Sequence, residues 1–190
     1  MSLLNAAGGY GSLTKLLHWL VAALFAFQYV AASIMTRMGP GDLVLGTPQS
    51  AYYNWHKSIG LVALAVAVVR LVNRRLGELP PWAATLSDTE KRFIHRAEQV
   101  LYLAMLVMPI TGFVYVMAGG YGVMLFGQWP LPNPIGSWPR VASIARWGHI
   151  GSGWVLLAAM GGHVGLVLRH QCVLRDGLLR RMLPGRSRAD

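Results

Sequence analysis

The chain has 190 residues, 54% of them hydrophobic and 13% charged, where a soluble domain carries about a quarter charged; this argues against an ordinary soluble enzyme. Lys and Arg number 17 against 7 Asp and Glu, a net charge of +10, which would suit nucleic acid only if a groove-entering or base-stacking module came with it. One cysteine, Cys172, excludes an intrachain disulfide framework, a Cys-rich zinc site and a cysteine-ligated iron–sulfur cluster.

Taken in chain order, the apolar stretches predict a single membrane domain over 1–190 with four helical spans. Residues 16–36 contain no Asp, Glu, Lys or Arg, and at about 1.5 Å per residue they cross a hydrocarbon core of roughly 30 Å. A cleaved signal peptide, with Lys15 ahead and Ala31, Ala32 and Ser33 as the small-residue region, is the competing reading; the length of the stretch and its His18 and Gln28 favour a retained span. The second span, 53–73, must include Lys57 and Arg70, whose long side chains are expected to snorkel to the interface. The third, 98–118, ends where Gly119-Gly120 opens a stretch crowded with Gly, Pro and Trp, and Pro109 should kink it. The fourth, 147–168, is bounded by Arg146 and Arg169.

The basic residues are distributed unevenly between these spans. Arg70, Arg74, Arg75, Lys91, Arg92 and Arg96 follow the second span, and Arg169, Arg175, Arg180, Arg181, Arg186 and Arg188 follow the fourth. The other two connections hold only Arg37, Lys57, Arg140 and Arg146. The positive-inside rule therefore places both termini in the cytoplasm. The basic excess orients the chain in a bilayer, and nucleic acid is not an expected partner.

Ionisable residues within spans are costly and mark function. His18 and His163 fall towards the inner side of spans one and four, and His56 and His149 open spans two and four on the outer side. His149 and His163, 14 residues apart, return to nearly the same helix face about 21 Å along the axis. One helix can thus offer a ligand at each level, with His18 opposite His163 and His56 opposite His149, and each pair can fill the two axial positions of a porphyrin iron. Arg70 stands 14 residues after His56 and returns to that face at the inner level, where it could pair with a propionate. Gly60 and the glycines of span four, Gly151, Gly153, Gly161, Gly162 and Gly165, would let a flat ring approach the backbone, or simply serve helix packing. A zinc-type site fits less well, because carboxylates that would complete it are missing from the spans. His170 competes with His163 as the inner ligand, but its distance from His149 would carry one cofactor to the membrane boundary. His95 lies on the inner side before span three, where with His170 it could sit near a quinone or proton-exchange site.

The pattern His18-Trp19, then His56-Lys57-Ser58-Ile59-Gly60, Arg70-Leu71, and His95 with Tyr102, Leu106-Val107-Met108-Pro109 and Gly112, is followed by His149, His163 and His170. It closes with Arg175-Asp176-Gly177-Leu178-Leu179-Arg180-Arg181-Met182-Leu183-Pro184. Together these resemble the bacterial cytochrome b561 family of four-helix, di-haem inner-membrane proteins, from about Leu13 to Pro184. The resemblance implies an all-α integral membrane bundle and two b-type haems, one held by His18 with His163 and one by His56 with His149. It also implies electron exchange with the membrane quinone pool.

One branch of that family oxidises superoxide at the outer face and reduces ubiquinone; other branches carry electrons for separate redox partner proteins. The outer connections favour superoxide as donor, since they hold four basic residues and only Asp42 as an acid, a surface that attracts a small anion. The same residues could merely anchor lipid headgroups. The connection from Gly119 to Arg140 is expected either to cap the outer haem or to form an interfacial aromatic belt. No transmembrane chain of carboxylates appears, so electron conduction rather than proton pumping is expected, and catalytic side chains beyond the haem ligands are not assigned.

Overall fold

The computed structural model describes residues 2–185. Its main elements are four helices, α1 Ser12–Met35, α2 Gln49–Leu76, α3 Asp88–Ala118 and α4 Pro139–Leu168. The helices α2, α3 and α4 contain the expected spans 53–73, 98–118 and 147–168 and extend beyond them, whereas α1 starts before the expected 16–36 and ends one residue short of it. Two short hairpins complete it: β1 Leu43–Val44 with β2 Thr47–Pro48, and β3 Met124–Leu125 with β4 Trp129–Pro130. Neither hairpin was foreseen. The first turns on Leu45 and Gly46, both at positive φ, the backbone that two-residue hairpins of this hand require.

The helices α1, α3 and α4 are long and apolar enough to cross a membrane, whereas α2 falls short by composition. On α1 the buried side chains Leu17, Val21, Phe25, Gln28, Ala31 and Met35 recur every three or four residues, the spacing of one helix face. Leu16, Phe27 and Val30 are exposed on other faces, as expected of a helix solvated by lipid on one side. The charges of α2 are partnered, not merely snorkelled. Lys57 Nζ donates to the Gly122 carbonyl at 2.9 Å, and Arg74 grips both carboxylate oxygens of Glu98 at 2.6 and 2.8 Å. A bidentate guanidinium–carboxylate pair is the strongest way to keep such a charge near hydrocarbon.

The chain forms two compact units, and every helix passes from one into the other. The first unit comprises 1–20, 67–105 and 153–190. Here Gly11 donates to Asn5 Oδ1 at 2.9 Å, and a Cβ on Gly11 would lie 2.4 Å from the Leu3 carbonyl oxygen, so only glycine lets the N-terminal segment fold against the start of α1. The start of α3 is a capping box: Ser87 Oγ accepts from the Glu90 amide, and the Glu90 carboxylate accepts from the Ser87 amide and hydroxyl.

After α4 the chain runs through a π-helical turn, Arg169–Leu174, and a left-handed Arg175 into the 3-10 turn Leu178–Arg181. This change of pitch puts His170, fully buried, between two carboxylates. Its Nδ1 lies 2.5 Å from Asp176 Oδ2 and its Nε2 3.2 Å from Glu90 Oε1, while Arg169 also pairs with Glu90. Both ring nitrogens of His170 are thereby engaged, so it does not compete with His163 as a ligand.

The second unit comprises 21–66 and 106–152. Gln49 Nε2 donates to the carbonyls of Met35 and Met38, tying α2 to the end of α1. The connection after α3 is fastened to α2 and to the end of α3. The Phe126 amide donates to the buried Ser58 hydroxyl at 2.8 Å, Asn133 Nδ2 donates to the Met117 carbonyl at 2.9 Å, and Trp55 meets Phe126 edge to face at 5.8 Å.

The Asp176 carboxyl is only 8% exposed. Burial opposes its charge, but hydrogen bonds from His170, Thr85 and the Leu178 amide outweigh this and hold its pKa below the ordinary 3.8. A depressed carboxyl pKa stabilises the fold above the unfolded-state pKa, and that contribution disappears as pH falls through the folded-state value. The Asp176→Asn variant is therefore expected to unfold several degrees below the wild type in detergent at neutral pH. The gap should stay constant down to about pH 4 and narrow below it, as read by thermal unfolding at stepped pH.

Candidate functional site

The two expected histidine pairs lie in different units. In the first unit the rings of His18 and His163 have centroids 6.1 Å apart with planes at 65°. In the second unit His56 and His149 stand 6.1 Å apart with planes at 89°. A metal–imidazole bond is about 2 Å long, so two in line leave about 2 Å of a 6.1 Å separation for the two half-rings. Each pair is thus spaced to receive one metal between two nitrogens.

Around the second pair, His149 is held against the backbone of α3. Its Nδ1 lies 2.8 Å from the Met108 carbonyl oxygen, a contact in which the ring N–H donates and the other nitrogen, Nε2, is left for a ligand bond. The close approach depends on Gly112, because a Cβ there would lie 2.8 Å from Nδ1 and 2.9 Å from Cε1. Met108, Pro109 and Gly112 all line the same cavity as the two histidines. On the other side, Gln28 Nε2 donates to the His56 carbonyl at 2.9 Å, and a Cβ on Gly60 would lie 2.9 Å from that same nitrogen. Two polar atoms here are buried without a hydrogen-bond partner among the described residues, His56 Nδ1 and Gln28 Oε1.

The cavity encloses about 810 Å³ of atom-free space, part of it open to the surroundings, and is lined mainly by apolar side chains such as Phe25, Leu61 and Phe113. Val123, from the connection after α3, and Lys57 of α2 both contribute to its wall.

In the first unit, Arg70 Nη2 lies 3.1 Å from His18 Nδ1 and its Nε 3.4 Å from the Tyr102 hydroxyl. An arginine cannot accept, so His18 Nδ1 is the acceptor here and Nε2 carries the ring proton, the opposite polarity to His149; a ligand bond from Nε2 requires the proton to move to Nδ1 and Arg70 to give up this contact. The guanidinium also stands 5.7 Å from the Tyr102 ring centroid, and Trp19 meets His18 edge to face. Arg70 is therefore placed at the His18 pair as the 14-residue spacing predicts, and it is partnered by protein groups. Its remaining N–H donors suit a carboxylate such as a propionate.

Chemically, each site offers two imidazoles, and no cluster of three or more His, Cys, Asp or Glu side chains suited to a metal ion occurs among the described residues. At the His56–His149 pair, two imidazoles beside Gly60 and Gly112 in an apolar cavity fit a haem and do not fit a zinc-type site. His95 is exposed and contacts Gln99, and His170 belongs to the Asp176 and Glu90 cluster, so neither joins a pair. Among the glycines of α4, a Cβ on Gly151, Gly161 or Gly165 would meet nothing within 4 Å, and Gly162 accommodates Phe93. The close approach to a candidate ligand is made by Gly112, whose role the sequence pattern did not single out. Gln28 was noticed only as a polar residue in an apolar span, which was the available signal.

Gly112→Ala is accordingly expected to push His149 off the Met108 carbonyl and to lower the haem content of the purified protein by one site. Gly151→Ala, on open space in α4, should leave the content unchanged. The reduced-minus-oxidised spectrum per chain checks both.

A profile of the prokaryotic cytochrome b561 family matches residues 9–185. Cytochrome b561 homolog 2 of Escherichia coli strain K12 is 24% identical over 197 residues, covering 100% of this chain and 98% of its own length. Cytochrome b562 of Cereibacter sphaeroides is 25% identical, covering 92% of this chain and 95% of its own, and the probable superoxide oxidase CybB of Yersinia pestis is 25% identical, covering 92% and 96%. The chain belongs to the prokaryotic cytochrome b561 family and is a multi-pass, haem b-binding electron-transfer protein of the bacterial inner membrane.

Proposed function

We propose that this protein is a superoxide:ubiquinone oxidoreductase holding two b-type haems, one between His56 and His149 towards the outer face and one between His18 and His163 towards the inner face. The observation that carries the reading is the pair of matched imidazole couples, each at 6.1 Å. Haem supplies reversible one-electron exchange at iron. His56 with His149, and His18 with His163, would each hold one haem through two imidazoles, which would leave the iron no place for dioxygen. Met108 and Gly112 orient His149, and Arg70 supplies positive charge beside the His18 pair.

Superoxide is supported as donor by charge. The outer connections carry Arg37, Lys57, Arg140 and Arg146 against Asp42 alone, and Lys57 borders the cavity of the His56 pair. Such a field raises the local concentration of a small anion. The similar protein from Yersinia pestis is named a probable superoxide oxidase, which supports the reading. In the balanced reaction two superoxide anions each lose one electron to become dioxygen, and one ubiquinone takes both electrons and two protons to become ubiquinol.

A second reading, an electron-conduit or quinol-oxidising subunit serving a separate redox partner protein, has its own support. The hairpins expose apolar side chains, Leu45 at 93% and Trp129 at 60%, which a partner or the lipid headgroups would cover.

Two measurements test the proposal. Purified protein should contain two b-type haems per chain, with one lost in His56→Ala and one in His163→Ala; one haem or none in the wild type would sink the pairing. Superoxide supplied with ubiquinone should reduce the haems and yield dioxygen and ubiquinol in a two-to-one ratio, more slowly at high ionic strength. Failure of superoxide, with reduction by quinol intact, would favour the conduit reading.

A further inference from the structure

Gln28 is a polar residue of the His56 site that the proposed chemistry leaves unexplained. It is 4% exposed, lies mid-helix in α1 and lines the same cavity as His56 and His149. Placing an amide there is costly, because a buried polar group must find a partner for every donor and acceptor it brings. Only half of that requirement is met. Nε2 donates to the His56 carbonyl at 2.9 Å, while Oε1 is buried with no partner among the described residues. The orientation is not interchangeable, since a flipped amide would set Oε1 against the His56 carbonyl oxygen, acceptor against acceptor. Gly60 preserves the arrangement, as a Cβ there would lie 2.9 Å from Nε2.

The two imidazoles of this site are consequently held in different ways. His149 is fixed directly through its ring, Nδ1 against the Met108 carbonyl. His56 lacks a well-formed ring bond, and its Nδ1 is buried and unpartnered. What holds His56 is its backbone, through the Gln28 amide, whose Nε2 donates to the His56 carbonyl. In a low-dielectric cavity an unpaired amide oxygen also places a partial negative charge with little to screen it.

We propose that Gln28 is a positioning residue for His56, whose amide nitrogen fixes the turn of α2 presenting the imidazole and whose unpartnered oxygen gives the cavity a negative edge favouring the oxidised state of the haem it holds. This deepens the reading of the His56–His149 pair as a haem site and rests on it. Hydrogen bonding and burial around an axial ligand are established levers on haem potential. Gln28 supplies both without touching iron.

The test is a potentiometric titration of purified, haem-loaded wild type, Gln28→Leu and Gln28→Glu, with electron paramagnetic resonance of the oxidised haems. The haem of interest is identified as the one missing from His56→Ala. Gln28→Leu should retain two haems, shift the potential of that haem upward, leave the other haem unmoved and change the low-spin signal of the shifted haem alone. Gln28→Glu, which restores an oxygen at the same place, should leave that potential at or below the wild-type value. An unchanged potential in Gln28→Leu, an equal upward shift in both variants, or loss of the haem from both would overturn the proposal and leave Gln28 as a packing residue. A wild type without two haems, or a His56→Ala variant that keeps both, would instead overturn the haem reading beneath it.

Discussion

An imidazole placed within a membrane span must be given a partner, and the rest of this structure follows from that requirement. Hydrocarbon offers no water to satisfy a ring nitrogen, so each unpartnered polar group costs several kcal/mol. The chain answers with pairs. Each of its two compact units takes a part of every helix and brings together one histidine from α4 and one from α1 or α2. The small residues matter where the pairs are fastened: Gly112 admits the ring of His149 to a helix carbonyl, and Gly60 leaves room for the amide that holds His56. These are contacts in which one methyl group decides whether a side chain reaches its partner.

The same constraint explains how α2 tolerates its charges. By composition it is the least membrane-like of the four helices, yet Lys57 finds a backbone carbonyl, Arg70 finds His18 and Tyr102, and Arg74 finds Glu98. Charged side chains held in this way become part of the site. Lys57 borders the cavity of one histidine pair, and Arg70 touches the other pair directly. The helix that looks weakest as a span is thus the one that supplies positive charge to both units.

The C-terminal segment shows how a strong sequence motif can be structural. His170 falls on nearly the same stripe as His163 and, read by spacing, competes with it as a ligand. The π-helical turn from Arg169 changes the pitch just before it matters, and His170 is drawn between Asp176 and Glu90. A run of seven residues cannot reveal that change, because a wider turn depends on what the tail packs against. The cluster fastens the tail to the start of α3 in the first unit, the same unit that holds the His18 pair.

The sequence by itself determined the four long helices, their approximate limits and which four histidines come together in pairs. Each of these is set by local composition or by helical period, and a period of 3.6 residues carries a side chain's direction faithfully along one helix. It did not determine the two hairpins, whose turns depend on a few residues with positive φ, nor the extra turns by which the helices outrun their apolar spans. It gave no sign that the glycine required at His149 lies on α3, because that need arises only when another helix is packed across it. Gln28 was visible as a polar residue in an apolar stretch, but which of its atoms would be paired could not be read from the chain. Only the tertiary structure decided that, since a hydrogen bond between helices depends on distances of a few tenths of an ångström between residues remote in sequence.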